Sequence, residues 1–161
     1  MFSILTRGKT SPAELLTSKL FDEKQFYDAF ISDLKKCQVE AIIESPYMTV
    51  RRTNELLPIL RKLVKRGVKV TIHTRHPRDH EELRRIQAWI VMKSLRPAGI
   101  KVRFFTDHHH RKIAVLDGRI LWEGSLNILS QGNSREIMRR IESEQLARQM
   151  ISFLRLKRYY W

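Results

Sequence analysis

With 161 residues, 42% of them hydrophobic, the chain can bury one ordinary core and is expected to form a single domain over residues 1–161. Thirty-one Lys and Arg against seventeen Asp and Glu leave a net charge of +14 and a pI near 10.4. That surplus points to a polyanionic partner such as DNA or RNA; anionic lipid is the rival that charge alone leaves open.

Taken in chain order, Met1-Phe2-Ser3-Ile4-Leu5-Thr6-Arg7 carries too little apolar length for a secretory signal. Phe26, Phe30, Ile31 and Leu34 fall at helical spacing within Asp22–Cys37. Lone Cys37 excludes an intramolecular disulfide and gives no sign of an oxidising compartment. Val39–Ser45 reads as a strand stopped by Pro46, followed by a helix from about Thr53, as N-cap, to Arg66, with Gly67 as its C-terminal cap. Val68, Val70 and Ile72 alternate as one face of a strand. Glu81–Leu95 is amphipathic, with Leu83, Ile86 and Ile90 predicted to face inward, and Pro97-Ala98-Gly99 ends it. Strands are predicted over Ile100–Phe105, Ile113–Leu116, Arg119–Glu123 and Ile137–Ile141, and a last helix over Glu144–Leu156. This order implies an α/β fold with a mixed, largely parallel sheet flanked by helices on both faces. No apolar run approaches the roughly twenty residues needed to span a bilayer, so a soluble cytoplasmic protein is the expectation.

The chemistry gathers between residues 110 and 127. His110-Arg111-Lys112 precedes the apolar run Ile113–Leu116, which Asp117-Gly118 closes as a tight turn. Side chains at i and i+2 share a face, so His110 and Lys112 project together if the strand begins there. Imidazole serves as nucleophile or as general acid and base near neutral pH, and an ammonium beside it attracts a phosphate oxygen. Asn127, after the next strand, adds an amide donor and Ser125 a hydroxyl. Together these groups can hold a phosphoryl group with His110 in line, without a metal or other cofactor.

His110, Lys112, Asp117, Gly124, Ser125 and Asn127 follow the spacing H-x-K-x4-D-x6-G-S-x-N. This resembles the signature of the phospholipase D superfamily, whose members break phosphodiester bonds through a phosphohistidine intermediate. The resemblance implies a phospholipase D-type domain, and Glu136 lies where related enzymes place a glutamate that bonds the catalytic histidine. The reaction needs a nucleophile and an acid, yet no second H-x-K occurs; His73-Thr74-Arg75-His76-Pro77 lacks the lysine and all that follows it. A homodimer sharing one composite site, as in the small single-motif endonuclease branch, answers this. A lipid phosphodiesterase or transphosphatidylase is the alternative, but two motifs and an interfacial apolar surface would be expected of it, and neither shows. A binding module with weak catalysis is the third reading, against which the intact motif argues.

Other residues carry duller explanations beside sharper ones. Adjacent residues on a strand point to opposite faces, so the triple histidine 108–110 does not converge easily on a metal, and no metal site is expected. His109 is expected to face away from the chemistry. Asp117 is as well explained by backbone bonding in its turn as by catalysis. Tyr47 either stacks on a base at the cleft rim or caps the core. Arg51, Arg52, Arg135, Arg139 and Arg140 are candidate contacts to a nucleic-acid backbone, although such residues are usually just solvated. The tail Arg155–Trp161 is expected to pack its aromatics on the body or on a partner subunit.

Overall fold

The structure, a computed structural model, describes residues 17–105, 107–108 and 110–157; the expectations for the N-terminal segment, His109 and the aromatic tail end lie outside them. Strand β1 (Ser18–Asp22) comes first, and the Asp22 carboxylate then accepts the N–H groups of Lys24 and Gln25 to turn the chain into α1 (Phe26–Lys36). Phe26, Phe30 and Leu34 form the buried stripe of that helix. Strand β2 (Glu40–Glu44) leads to α2 (Val50–Lys65), whose N-cap is Thr49 rather than Thr53. The Thr49 hydroxyl accepts the Arg52 N–H at 3.4 Å, while Thr53 is fully buried one turn inside the helix. Gly67, at φ 84°, ends α2 in the left-handed conformation that glycine tolerates.

Strand β3 (Lys69–Arg75), a 3-10 turn (Pro77–Asp79), α3 (Glu82–Leu95) and β4 (Lys101–Phe105) follow. Then come β5 (Ile113–Leu116), β6 (Ile120–Gly124), β7 (Ile137–Glu142) and α4 (Glu144–Phe153), the last capped by the Ser143 hydroxyl. The seven strands form one sheet in the order β1-β7-β6-β5-β2-β3-β4.

The α/β class and the mixed sheet hold, but the parallel share is smaller than expected. Among the described residues only β2–β3 and β3–β4 are parallel, joined by the helical crossovers α2 and α3. The other four pairs run antiparallel. The Asp117-Gly118 turn is far too short for a crossover, so β6 must reverse onto β5. Strand β1, which lacks a clear alternation, is an edge strand that the sequence pattern misses.

Helices flank both faces. Helices α1, α2 and α3 cover one, packing on Ala41, Ile43, Val70, Ile72, Ala114 and Trp122. Helix α4 covers the other, over Ile42, Ile113, Val115, Leu121 and Ile141. One inward face is corrected. Leu83, Ile86 and Ile90 are 77%, 50% and 48% exposed, whereas Ala88, Val91, Met92 and Leu95 are buried. Both stripes have helical spacing; the core takes the face carrying Ala88, Val91, Met92 and Leu95, which leaves the face of Leu83, Ile86 and Ile90 to solvent.

Candidate active site at one sheet edge

Strand directions decide which motif residues meet. Because β5 is antiparallel to β2 and to β6, the start of β5, the end of β2 and the end of β6 lie at the same edge. The start of β7 and the ends of β1 and β3 join them. His110 and Lys112, just before β5, therefore share an edge with Gly124, Ser125, Asn127 and Glu136. Asp117, at the far end of β5, lies at the opposite edge.

The loop carrying Asn127 is fixed from several sides. Tyr27 donates its hydroxyl to the Ile128 carbonyl at 2.8 Å, and the Thr49 N–H donates to the Leu129 carbonyl at 2.9 Å. The Leu129 N–H donates to the Ser45 hydroxyl, and Arg52 donates to the Gln131 carbonyl. Asn127 itself presents a buried Oδ1 without a hydrogen-bond partner. Leaving a buried acceptor of this kind without a donor is costly. Gly124 is required by close approach: a Cβ there would lie 2.2 Å from the Ile137 carbonyl oxygen. That proximity lets Ser125 extend the β6–β7 ladder, its N–H donating to Ile137 and its hydroxyl accepting the Ile137 N–H. The hydroxyl thus supports the edge as well as facing it.

Lys112 lines an open groove of about 400 Å³ with Arg111, Glu123, Gly124, Ile137 and Arg139. His110 is exposed, its ring centroid 5.9 Å from that of Tyr47. Between them, Arg111 turns inward and its Nε donates to the Glu44 carboxylate. Glu44, 1% exposed, also lies 3.5 Å from Nδ1 of His73, itself 1% exposed. Breaking a buried carboxylate–guanidinium pair is costly, so the middle residue of His110-Arg111-Lys112 is anchored, while His110 is exposed and Lys112 half-buried. Sequence reading missed Glu44 and weighed His73 only as part of a second motif that it rejected. Their signal was polar residues interrupting the apolar runs of β2 and β3, on the faces opposite Ile43 and Ile72.

The remaining candidates divide. Glu136 accepts the Ser134 hydroxyl at 2.8 Å and shares a surface hollow with Ser125 and Arg135. Arg139 lines the Lys112 groove and donates to the Ser18 hydroxyl. Arg51 is exposed and pairs with Glu55. Arg52 is committed to the fold: besides Gln131, it bonds Glu55 and stacks 3.8 Å from the Tyr27 ring centroid. Arg140 likewise pairs with buried Asp33, which also accepts from the Trp122 indole. Asp117 accepts the N–H groups of Gln38, Val39 and Glu40 and the Cys37 thiol. Its carboxylate serves the backbone. Burial raises its pKa, but these four donors outweigh burial and hold it below the ordinary 3.8. Burial, then Asp117, pushes the Cys37 thiol up to about 12, which makes it a poor nucleophile.

Comparison with known proteins follows the same lines. No curated protein sequence matches this chain. Several solved structures share its fold. Nuc from Salmonella typhimurium, a phospholipase D family member, is similar with a TM-score of 0.70 at 17% identity, over 84% of this chain and 90% of that one. TrmBL2, an archaeal chromatin protein with a novel mode of DNA binding, gives 0.59 at 12% identity, over 95% and 54%. Phosphatidylserine synthase of Haemophilus influenzae Rd KW20 gives 0.62 at 16% identity, over 89% and 39%. Residues 30–156 match the family described as cardiolipin synthase, PLD-like domain, and the chain belongs to that branch of the phospholipase D superfamily.

Proposed function

We propose that the chain is a metal-independent phosphodiesterase acting on nucleic acid, an endonuclease that works as a homodimer with one composite site. The observation that carries this is the convergence of His110, Lys112, Ser125 and Asn127 at a single sheet edge, with one such set per chain. In the first step, a ring nitrogen of His110 attacks phosphorus, and a P–N bond forms as a P–O bond breaks. The leaving oxygen takes a proton from the imidazolium of His110 of the partner subunit. Water then attacks the phosphohistidine, giving its proton to the now neutral imidazole of the partner's His110, and the P–N bond breaks. Lys112 and the Asn127 amide stabilise the equatorial oxygens in both steps. The net charge of +14 supports a polyanionic substrate.

A second reading has its own support. Leu83, Ile86, Trp89 and Ile90 form an exposed apolar stripe on α3, a surface that the sequence pattern hides and that a lipid phosphodiesterase would use. One assay separates the two: labelled single- and double-stranded DNA, RNA and phosphatidylcholine vesicles, each incubated with the protein in excess EDTA. Cleavage of nucleic acid in chelator is expected. Loss of all activity in EDTA with recovery in magnesium or manganese would contradict the mechanism, and cleavage confined to vesicles would favour the lipid reading.

A further inference from the structure

Beside His110, five segments converge on a cluster that the phosphoryl transfer above leaves unused. Tyr47 follows β2, Arg75 ends β3, His80 follows the 3-10 turn, Arg84 lies in the first turn of α3, and His108 precedes the motif. Arg75 is the hub and is only 8% exposed. Its Nη1 donates to the Tyr47 hydroxyl oxygen at 3.2 Å, and its Nη2 contacts His108 Nδ1 at 3.2 Å and the Asp79 carbonyl at 3.3 Å. Its Nε is buried without a hydrogen-bond partner.

A guanidinium can only donate, so the Tyr47 oxygen and His108 Nδ1 are both acceptors toward Arg75. The Tyr47 proton is then directed elsewhere, and neutral His108 carries its proton on Nε2. Arg75 thereby turns two surface groups into donors. Arg84 adds charge, its guanidinium 4.8 Å from the Tyr47 ring centroid. The acidic groups nearby include Asp79, exposed Asp107 next to His108, and exposed Glu81, which pairs with Arg84 at 3.3 Å and is screened by solvent. On another side of Tyr47 sits buried His80, with ring centroids 5.3 Å apart and Nδ1 unpartnered. Burial lowers the His80 pKa, and the charges of Arg75 and Arg84 lower it further, as a positive local potential requires.

We propose that Tyr47, Arg84 and His108, set in place by Arg75, form a subsite for a second phosphate, the one adjoining the scissile linkage along a polynucleotide strand. The 5.9 Å between the Tyr47 and His110 ring centroids makes an anion held there the immediate neighbour of the reacting phosphorus. The subsite rests on the nucleic-acid reading and deepens it. A polynucleotide supplies a flanking phosphate, whereas a phospholipid with one phosphodiester does not.

The test compares single-stranded oligonucleotides in which the linkage on either side of one labelled scissile phosphate is native or an uncharged methylphosphonate. Bis(p-nitrophenyl) phosphate serves as a substrate with no neighbour. For the wild type, neutralising the neighbour on one side should lower kcat/KM about tenfold, the order expected for one charge-assisted contact. Arg84→Gln should lose a similar factor on the native oligonucleotide and little more on the methylphosphonate. Tyr47→Phe should lose less. Arg61→Gln, which removes the same charge from the exposed side of α2, should change neither ratio. A wild type indifferent to both neighbours, or an Arg84→Gln loss that adds in full to the methylphosphonate loss, overturns the subsite alone. Hydrolysis of bis(p-nitrophenyl) phosphate with no cleavage of any oligonucleotide overturns the nucleic-acid reading and the subsite with it.

Discussion

Asp117 carries the motif's only carboxylate, and its surroundings give that group a fold role. Three backbone N–H groups and the Cys37 thiol converge on it, and its φ of 53° suits a short polar side chain. Asp117→Ala strands those donors and should cost about 2–4 kcal/mol of stability, read as a shift in the urea midpoint. The rate per folded molecule should stay near wild type; a loss comparable with that of His110→Ala would place Asp117 in the chemistry. Its pKa is lowered on folding, so its contribution is complete above the ordinary carboxylate range and is lost as pH falls through the folded value. Asp117→Ala should therefore weaken the decline in stability on acidification below pH 3.8, and an unchanged decline would contradict the assignment. At this scale the motif residues were legible from their offsets along the chain. The Glu44–Arg111–His73 cluster was not, because its members come from two strands and the segment before a third, whose register no single stretch of sequence contains.

Elements were legible where the apolar pattern was strong, as in the helical stripe of α1, the alternation of β3 and the apolar run of β5. Helix α3 shows where periodicity runs out: the apolar stripe of Leu83, Ile86 and Ile90 and the stripe of Ala88, Val91 and Leu95 both fit a helix, and only the position of the sheet decides between them. Substituting Leu83 and Ile86 by Gln should move stability by no more than about 0.5 kcal/mol each, against about 2–5 kcal/mol for Leu95→Ala, measured by denaturant melts. A large loss from the exposed pair would mean that they are covered in solution. Between β6 and β7 the constraint is backbone against backbone. A Cβ on Gly124 would meet the Ile137 carbonyl at 2.2 Å and Met138 Cα at 2.9 Å. Gly124→Ala must push the strands apart and move Ser125, so it should cost at least about 2 kcal/mol and reduce activity in the folded fraction as well. Wild-type melting and turnover in that variant would contradict the tight pairing.

For the whole molecule, the sheet order gathers residues from seven strands into two edges of different character. One holds Asp117 and the β5–β6 turn; the other holds the rest of the motif, the parallel strand ends and the Arg75 cluster. The spacing placed His110, Lys112 and Asn127 in one signature, but did not show that the chain reversals into β5 and β6 bring them to the edge where β2 and β3 end. Helices α2 and α3 force β2, β3 and β4 to run parallel, which places Tyr47 and Arg75 beside His110. Among the described residues no helix is long and apolar enough to cross a membrane. On the proposed mechanism, a chain with one reactive histidine borrows the second from its copy. The direct measurement mixes wild-type protein with His110→Ala at fixed total concentration, allows subunits to exchange, and follows cleavage against the wild-type fraction. Activity should fall as the square of that fraction, because each mixed pair has only half of the histidines required. A fall in simple proportion to the wild-type chains present would show that each subunit acts alone and would contradict the shared site.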